Sequence, residues 1–281
     1  MDKRAVYAGK LAPALLILPQ LAVVAIFFYL PAAQAVKQSF QIESAFGGDA
    51  QFVGFENYLL LLKDPTWLKA AGVTAIFSVS VATLSLAIAL LLAAMAHRDI
   101  AGAGLYKTLL IWPYAVAPPV AGVLFLFLFQ PSLGMASKGL MALGVDWNPT
   151  LNASHAMILV VMAATWKQIS YNFLFFLAGL QSIPQSLIEA AAIDGARPLR
   201  RFWTIVFPLL SPTTFYLAVV NVVYVFFETF GIVDAVTHGG PAGATTTLVF
   251  KVYNDGKSGG DLGLSAAQSV ILMILVIALT A

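Results

Sequence analysis

Long apolar runs separated by short polar connections dominate this chain. A helix that crosses a hydrocarbon core about 30 Å thick needs roughly 20 apolar residues. Six stretches meet that length, so the pattern predicts an all-α, polytopic membrane protein forming one transmembrane domain over residues 1–281. The predicted spans are 11–36, 70–96, 107–130, 155–181, 209–233 and 263–281.

Prolines interrupt the first and third of these spans. They are Pro13, Pro19 and Pro31 in the first span and Pro113, Pro118 and Pro119 in the third. Proline removes a backbone donor, and a membrane tolerates it where neighbouring helices or a water-lined cavity satisfy the freed carbonyls. The pattern therefore predicts a kinked or unwound third span, and it favours a bundle with a pathway over a simple anchor.

Composition agrees with a lipid environment. The chain is 60% hydrophobic and 10% charged, whereas soluble domains carry about 25% charged residues. The absence of cysteine excludes disulfides, iron–sulfur clusters and thiolate metal sites. A net charge of +2 is too small to indicate nucleic acid, and no metal site is predicted.

The first apolar run is read as a retained span. Ala33-Gln34-Ala35 resembles a signal-peptidase site, but the run 11–36 is much longer than the 7–15 residues or so of a signal-peptide core. The last run reaches Ala281 with no basic flank to stop it, so we expect the biological C-terminus to extend beyond residue 281.

Lysines and arginines predict the orientation. With a cytoplasmic N-terminus, all five arginines face the cytoplasm, and the connection 183–208 is cytoplasmic as well. The predicted inside set is Lys3, Arg4, Lys10, Arg98, Lys107, Arg197, Arg200 and Arg201. The predicted outside set is Lys37, Lys63, Lys69, Lys138, Lys251 and Lys257.

The connection 183–208 contains a short alanine-rich helix where a membrane protein needs only a link. Ser186 and Glu189 have the spacing of a capping box, which predicts that the helix starts at Ser186. Gly195 suits the turn at its end, and Pro198 prevents continuation. The following arginines can meet carboxylates of a partner or anionic lipid headgroups.

This segment resembles the EAA loop of the membrane subunits of binding-protein-dependent ABC importers. The matching positions are Glu189, Ala190, Ala191, Asp194, Gly195 and Ala196, followed by Phe202, Ile205, Pro208 and Pro212. The resemblance implies the type I ABC importer permease fold and a bacterial inner-membrane location. It also implies that the loop docks into a cytoplasmic ATPase through Glu189, Ala190, Ala191, Asp194, Gly195, Ala196 and Arg197.

The resemblance also implies a complex and a substrate class. Three segments are similar to the sugar-importer branch, and the similarity is greatest to permeases of sn-glycerol-3-phosphate importers. These segments are 52–58, 177–184 and 237–241. The implied partners are a second homologous permease, two copies of an ABC ATPase that use ATP and Mg, and a periplasmic binding protein.

The chain lacks a nucleotide site of its own. A P-loop needs G-x-x-x-x-G-K-[ST], because backbone N–H groups must surround the phosphates. Gly256-Lys257-Ser258 supplies the end of that pattern, but position 251 is Lys rather than Gly. Any ATPase must therefore be a separate subunit, and this chain is predicted to be no enzyme and to hold no cofactor.

Polar residues within the fourth and fifth spans are candidates for the substrate pathway, since charge inside lipid is costly and usually functional. Lys167 lies at the middle of span four, and Asn221, Tyr224 and Glu228 form a stripe on span five. Asn172 is a further candidate. Lys167 can pair with Glu228 or face an anionic substrate, and a structural ion pair or a polar packing contact explains these residues equally well.

Three other functions stay open from the residues alone. A permease of the same family importing another sugar or polyol shares every feature above. An ATP-independent channel or carrier needs no cytoplasmic helix and more often shows repeats or several buried acids. A membrane-embedded enzyme needs converging acids, bases or metal ligands, and the spans offer only Lys167 and Glu228.

Overall fold

A computed structural model describes residues 11–42, 50–97 and 102–280, and these residues are mostly helical. The helices are α1 (Leu11–Val24), α2 (Leu30–Gln38), α3 (Glu56–Lys63), α4 (Pro65–Ala96), α5 (Ala103–Ile111), α6 (Pro118–Phe129), α7 (Met135–Ala142), α8 (Ala153–Gln181), α9 (Gln185–Ile193), α10 (Pro198–Arg201), α11 (Phe207–Phe227), α12 (Phe230–Thr237), α13 (Leu248–Tyr253) and α14 (Leu262–Thr280). One two-stranded antiparallel hairpin, β1 (Gln41–Ile42) with β2 (Gln51–Phe52), accompanies them.

The described helices agree with the predicted all-α membrane fold. Four of them are long and apolar enough to cross a membrane, and the number rises to six if each of two bent helix pairs counts as one span. The four are Leu11–Gln38, Pro65–Ala96, Pro198–Phe227 and Leu262–Thr280. The bent pairs are Ala103–Ala115 with Pro118–Phe129, and Ala153–Gln181 with Gln185–Ile193.

The third predicted span is broken more sharply than a kink. A 3₁₀ turn, Trp112–Ala115, ends its first half, and the second half departs at 104°. Val116 and Ala117 are extended, as expected for residues before Pro118. The prediction of a kinked or unwound third span is confirmed.

The first and fifth spans also differ from the prediction. Helix continues from Leu11 to Gln38 through Pro13 and Pro19, and the disturbance before Pro31 is a π-helical turn, Ala25–Tyr29. The fifth helix begins at Pro198, well before residue 209, because Pro198 suits a helix start and the next residues stay helical through a π-helical turn, Phe202–Val206. It ends at Phe227 rather than 233.

The chain divides into two compact units. The first comprises the described residues of 1–63 with 252–273, and the second those of 64–251 with 274–281. In the first unit, Asn57 anchors the hairpin, since its amide donates to the carbonyls of Ser39 (2.9 Å) and Gln41 (3.0 Å). Asn57 belongs to the segment 52–58 that resembles sugar-type permeases.

The second unit is built on α4 packed along α8, with α11 against both and α6 against α12. A buried stripe runs along α4 at helical spacing, mostly of small side chains that allow close approach. The stripe consists of Ala70, Thr74, Phe77, Val81, Ser85, Ala89, Ala93 and Ala96. Glycines bring α6 and α12 together, because a Cβ added to Gly122 would lie 2.9 Å from Ala235 Cβ.

Candidate functional site

The start of α9 differs from the predicted capping box. Pro184 occupies the N-cap position with extended backbone, no side chain caps the helix, and Ser186 lies inside the first turn. Helix α8 ends at Gln181, so the three-residue turn Ser182–Pro184 leaves no room for an extended Ser186. The Ser186–Glu189 capping prediction is therefore wrong, although a helix at this place is confirmed.

The end of α9 is a Schellman motif, as its glycine predicts. Gly195 takes the left-handed conformation (φ +78°). The amide of Ala196 donates to the Ala191 carbonyl at 3.0 Å, and that of Gly195 donates to the Ala192 carbonyl at 3.1 Å. A Cβ added to Gly195 meets nothing within 4 Å, so the demand for glycine comes from backbone conformation alone.

Helix α9 presents the predicted coupling residues on an open surface. Two members of this set, Ala191 and Ala196, are half-buried. The others are exposed, namely Glu189, Ala190, Asp194, Gly195 and Arg197. None of the α9 residues is buried, and Ile193 is 87% exposed. A short helix with exposed apolar residues and a rigid end is suited to binding another protein.

Arg201 is hydrogen-bonded to the backbone of α9. Its Nη1 donates to the Ile188 carbonyl at 3.3 Å, whereas Arg197 and Arg200 remain exposed. The sequence grouped these three arginines as one cationic cluster. The structure separates them, because Arg201 is half-buried against α9 whereas Arg197 and Arg200 are exposed.

A cavity of about 140 Å³ lies beside the middle of α8, and we call it the Lys167 cavity. The Lys167 side chain is buried, and its Nζ lies 5.4 Å from the centroid of the Tyr114 ring, a cation–π geometry. The cavity is lined by Tyr114, Lys167, Gln168, Tyr171, Val220, Val223, Tyr224 and Glu228.

Glu228 shares this cavity with Lys167 without forming an ion pair. The helix α11 ends just before Glu228, which is exposed, and no side chain of the described residues lies within 4.0 Å of Lys167 as an ionic partner. Tyr224 is buried, and its hydroxyl donates to the Ala164 carbonyl at 3.2 Å. A buried cation and an open carboxylate therefore face one small space.

Asn172 and Asn221 lie elsewhere, in a buried hydrogen-bonded cluster with Ser85. Asn172 Nδ2 donates to Ser85 Oγ (3.1 Å) and to Asn221 Oδ1 (3.2 Å). Asn221 Nδ2 donates back to Asn172 Oδ1 at 2.9 Å, and Ser85 Oγ donates to Asn221 Oδ1 at 2.8 Å. Both asparagines are 0% exposed, so here they make the polar packing contact that the sequence left as an alternative.

Sequence reasoning missed Tyr114, Tyr171 and Gln168, which complete the Lys167 cavity. Tyr171 follows Lys167 by one helical turn, a signal that could have been read. Its hydroxyl lies 3.1 Å from that of Tyr216, and its ring centroid lies 5.9 Å from that of Tyr114. Tyr114 comes from the broken third span, so only the fold brings it to α8.

A second missed feature ties the start of α4 to α13. Asp64 caps α4 by accepting from the Thr66 amide at 2.8 Å, and its carboxylate lies 3.4 Å from Lys251 Nζ. Burial raises the pKa of the Asp64 carboxyl, but the hydrogen bonds from Thr66 and the charge of Lys251 outweigh it and leave the pKa below its ordinary value. An ion pair between residues distant in sequence therefore links the start of α4 to α13.

Solved structures share this architecture. A bacterial ABC transporter involved in the import of the acidic polysaccharide alginate superposes with a TM-score of 0.77 at 20% identity, covering 96% of this chain and 92% of that chain. The MetNI methionine ABC transporter, in inward-facing conformations, gives a TM-score of 0.56 at 18% identity, covering 80% and 93%. These likenesses show the fold, an ABC importer permease fold, and confirm the predicted fold class.

Curated relatives resemble the chain over almost its whole length. The sn-glycerol-3-phosphate transport system permease protein UgpA of Rhizobium meliloti is 59% identical over 279 residues, covering 99% of this chain and 95% of that protein. UgpA of Yersinia pestis is 57% identical over 268 residues, covering 95% and 91%. Both are named as transport permeases.

Residues 69–281 match the family described as binding-protein-dependent transport system inner membrane component. That match takes in most of α4 and every described helix after it, including α9, the Lys167 cavity and the buried asparagine cluster. The chain belongs to the inner membrane components of binding-protein-dependent transport systems, as a multi-pass membrane protein.

Proposed function

We propose that this chain is a translocation subunit of an ATP-driven importer of sn-glycerol 3-phosphate. The observation that carries the substrate is the 57–59% identity, nearly end to end, with permeases named for that compound. An importer of another sugar or polyol is the alternative within the family. The chemistry of the Lys167 cavity favours the phosphorylated substrate.

The Lys167 cavity supplies the two kinds of group that a glycerol phosphate needs. Lys167 is buried and has no carboxylate of a described residue within 4.0 Å, which is unfavourable for its ammonium, so an entering phosphate gains from meeting it. Glu228 and the tyrosine hydroxyls can hydrogen-bond the glycerol hydroxyls. A neutral polyol would leave Lys167 without an anion.

We assign the pathway role to Lys167, Tyr224 and Glu228, which line the cavity. Asn172 and Asn221 act through the helix packing that holds α8 and α11 beside it. Lys167 lies at the centre of α8, the deepest point of a 29-residue helix. A cation at that depth is the feature for which packing alone offers least reason.

Helix α9 is proposed to receive the ATPase. Its exposed residues Glu189 and Asp194 lie beside the hydrogen-bonded Gly195 turn. Together they form a small surface that a cleft of the ATPase can bind. Only the short turn Ser182–Pro184 separates α8 from α9, so a force on α9 can reach α8 and thus the Lys167 cavity. We place this surface and the N-terminus in the cytoplasm, on the basis of the arginine distribution.

The complete importer is proposed to contain this chain, a second homologous permease, two ATPase copies that bind ATP and Mg, and a periplasmic binding protein for glycerol phosphate. The residues Gly256-Lys257-Ser258 lie in a π-helical turn, Asn254–Ser258, and not in the strand–loop–helix setting of a P-loop. The nucleotide chemistry therefore belongs to the partner ATPase.

Transport by the reconstituted complex tests the substrate assignment. Lys167→Gln is expected to lower uptake of glycerol 3-phosphate at least tenfold, since a charge-assisted hydrogen bond contributes about 1.5–3 kcal/mol. Lys138→Gln removes the same charge from an exposed position on α7 and serves as the matched control. Copurification of the partner subunits should be unchanged. Normal uptake by the Lys167 variant would refute its role.

Coupling is tested separately. Glu189→Lys and Gly195→Asp are expected to leave the complex assembled while ATP hydrolysis no longer responds to the loaded binding protein. Gly144→Asp alters another exposed left-handed glycine, far from α9 in sequence, and is the control. Unchanged stimulated hydrolysis and uptake in both α9 variants would contradict the assignment of α9.

A further inference from the structure

A second cavity lies directly beneath α9, and we call it the α9 cavity. Its volume is about 220 Å³, and most of its walls are apolar. It lies where α4 and α8 end and the fifth spanning helix begins, so it sits at one end of three membrane helices. Its lining includes Ala94, His97, Leu180, Arg201, Phe202 and Val206.

Arg201 enters this cavity, and the described residues use only part of its hydrogen-bonding capacity. Its Nη1 donates to the Ile188 carbonyl, but its Nε is buried and has no acceptor in the part of the chain that the structure describes. No carboxylate of a described residue lies within 4.0 Å of the guanidinium. A partly buried guanidinium without an anion is unfavourable, because desolvation is not offset.

The combination of walls and charge points to an amphiphile. A guanidinium binds the two oxygens of a phosphate through parallel N–H donors. The rings and methyl groups of Phe202, Val206 and Leu180 would be left uncovered by a small water-soluble anion. A phospholipid satisfies both surfaces, since its phosphate lies at the membrane interface and its ester and upper acyl carbons lie just below.

We propose that the α9 cavity binds one anionic phospholipid, with its phosphate on Arg201 and its upper acyl region against Phe202 and Val206. Charge complementarity supports an anionic headgroup, since His97 and Arg201 are the only ionisable residues in the described lining and neither is an acid. The lipid would hold the Arg201 side chain in place and, through its hydrogen bond to the Ile188 carbonyl, the position of α9. Coupling between α9 and its ATPase should then depend on anionic lipid.

Lipid retention by the purified complex tests this proposal directly. The complex is loaded into mixed micelles with phosphatidylglycerol or phosphatidylcholine, and bound lipid is counted by native mass spectrometry. Arg201→Gln is expected to weaken retention of phosphatidylglycerol about tenfold, as for loss of a charge-assisted hydrogen bond. Arg200→Gln, one residue away and exposed, is the matched control and should retain it.

A variant that keeps every charge tests the apolar half of the site. Ala94→Phe fills the cavity and should also reduce retention of phosphatidylglycerol. In proteoliposomes, replacing phosphatidylglycerol by phosphatidylcholine should lower stimulated ATP hydrolysis of the wild type severalfold and change the Ala94→Phe variant little.

Three results would overturn the proposal. Equal retention of phosphatidylglycerol by the Arg201 and Arg200 variants would show that Arg201 does not bind the lipid phosphate. Full retention by Ala94→Phe would mean that Arg201 meets an anion outside the cavity, such as a carboxylate of the ATPase. Equal retention of the two lipids by the wild type would exclude an anionic headgroup. Retention is measured without substrate, so these results do not depend on the identity of the transported compound.

Discussion

The buried cluster of Ser85, Asn172 and Asn221 gives the sharpest test of how the membrane helices are held together. Replacing Asn172 by Leu keeps the side-chain volume close to native but removes three hydrogen bonds that link α8 to α4 and α11. Asn221 retains two partners, Ser85 and the Leu217 carbonyl. The variant therefore isolates the polar contacts from a cavity effect.

The expected cost follows from the three hydrogen bonds that the substitution removes. Interhelical hydrogen bonds in membranes average about 0.6 kcal/mol each, and three of them give a destabilisation of about 2 kcal/mol for Asn172→Leu. Asn221→Leu removes the two bonds with Asn172 and the bond from Ser85, and it should cost a similar amount. Because the two share these bonds, the double variant should be destabilised by at least about 1 kcal/mol less than the two single variants combined.

The assay is equilibrium unfolding in mixed micelles, followed by tryptophan fluorescence, with copurification of the partner subunits as a second readout. Ser170→Ala is the matched control, since Ser170 Oγ is buried on the same helix without a hydrogen-bond partner among the described residues. The control should leave the free energy of unfolding unchanged or slightly raised. Additive destabilisation, or an Asn172→Leu variant as stable as the control, would refute the reasoning.

Three further predictions concern single positions. Gly195→Ala should unwind the end of α9 at a cost of about 1 kcal/mol and lower stimulated ATP hydrolysis, whereas Gly144→Ala, at the same left-handed conformation (φ +82°), should change stability alone. Asp64→Asn should destabilise the protein at neutral pH. Because the folded-state pKa of Asp64 is lowered, that difference should disappear as the pH falls below about 4, and a pH-independent difference in thermal unfolding would contradict it. Gly122→Ala places a Cβ 2.9 Å from an α12 side chain and should lower the free energy of unfolding by about 1–3 kcal/mol. In the control Gly104→Ala, the added Cβ meets nothing within 4 Å and should not destabilise the protein. Equal unfolding midpoints for the two variants would count against close packing of α6 and α12.

Local interactions explain what could be read without the fold. Helix α8 is predicted at 155–181 and observed at Ala153–Gln181, because transfer of apolar side chains from water determines such a span. The Gly195 turn is equally local, since its two hydrogen bonds close within α9. The start of α9 was misplaced because Pro184 and the end of α8 competed with the Ser186 cap.

The roles of the polar residues in the spans needed the fold. Lys167 and Asn172 are five residues apart, and at about 100° per residue they point to different sides of α8. Which side meets a cavity and which meets the core depends on α4 and α11. Asn172 finds Ser85 at a separation of 87 residues, and Lys167 finds the Tyr114 ring from the broken third span.

The sequence by itself determined the membrane fold, the number of apolar runs and the family that the connection 183–208 resembles. These features depend on transfer free energy, backbone geometry and residues close together in the chain. Only the tertiary structure decided that Asn172 and Asn221 pack helices, that Lys167 faces a cavity, and that Arg201 lies beneath α9 apart from its neighbouring arginines. The reason is physical: a polar side chain in a membrane acts according to its partner, and here each partner comes from another helix.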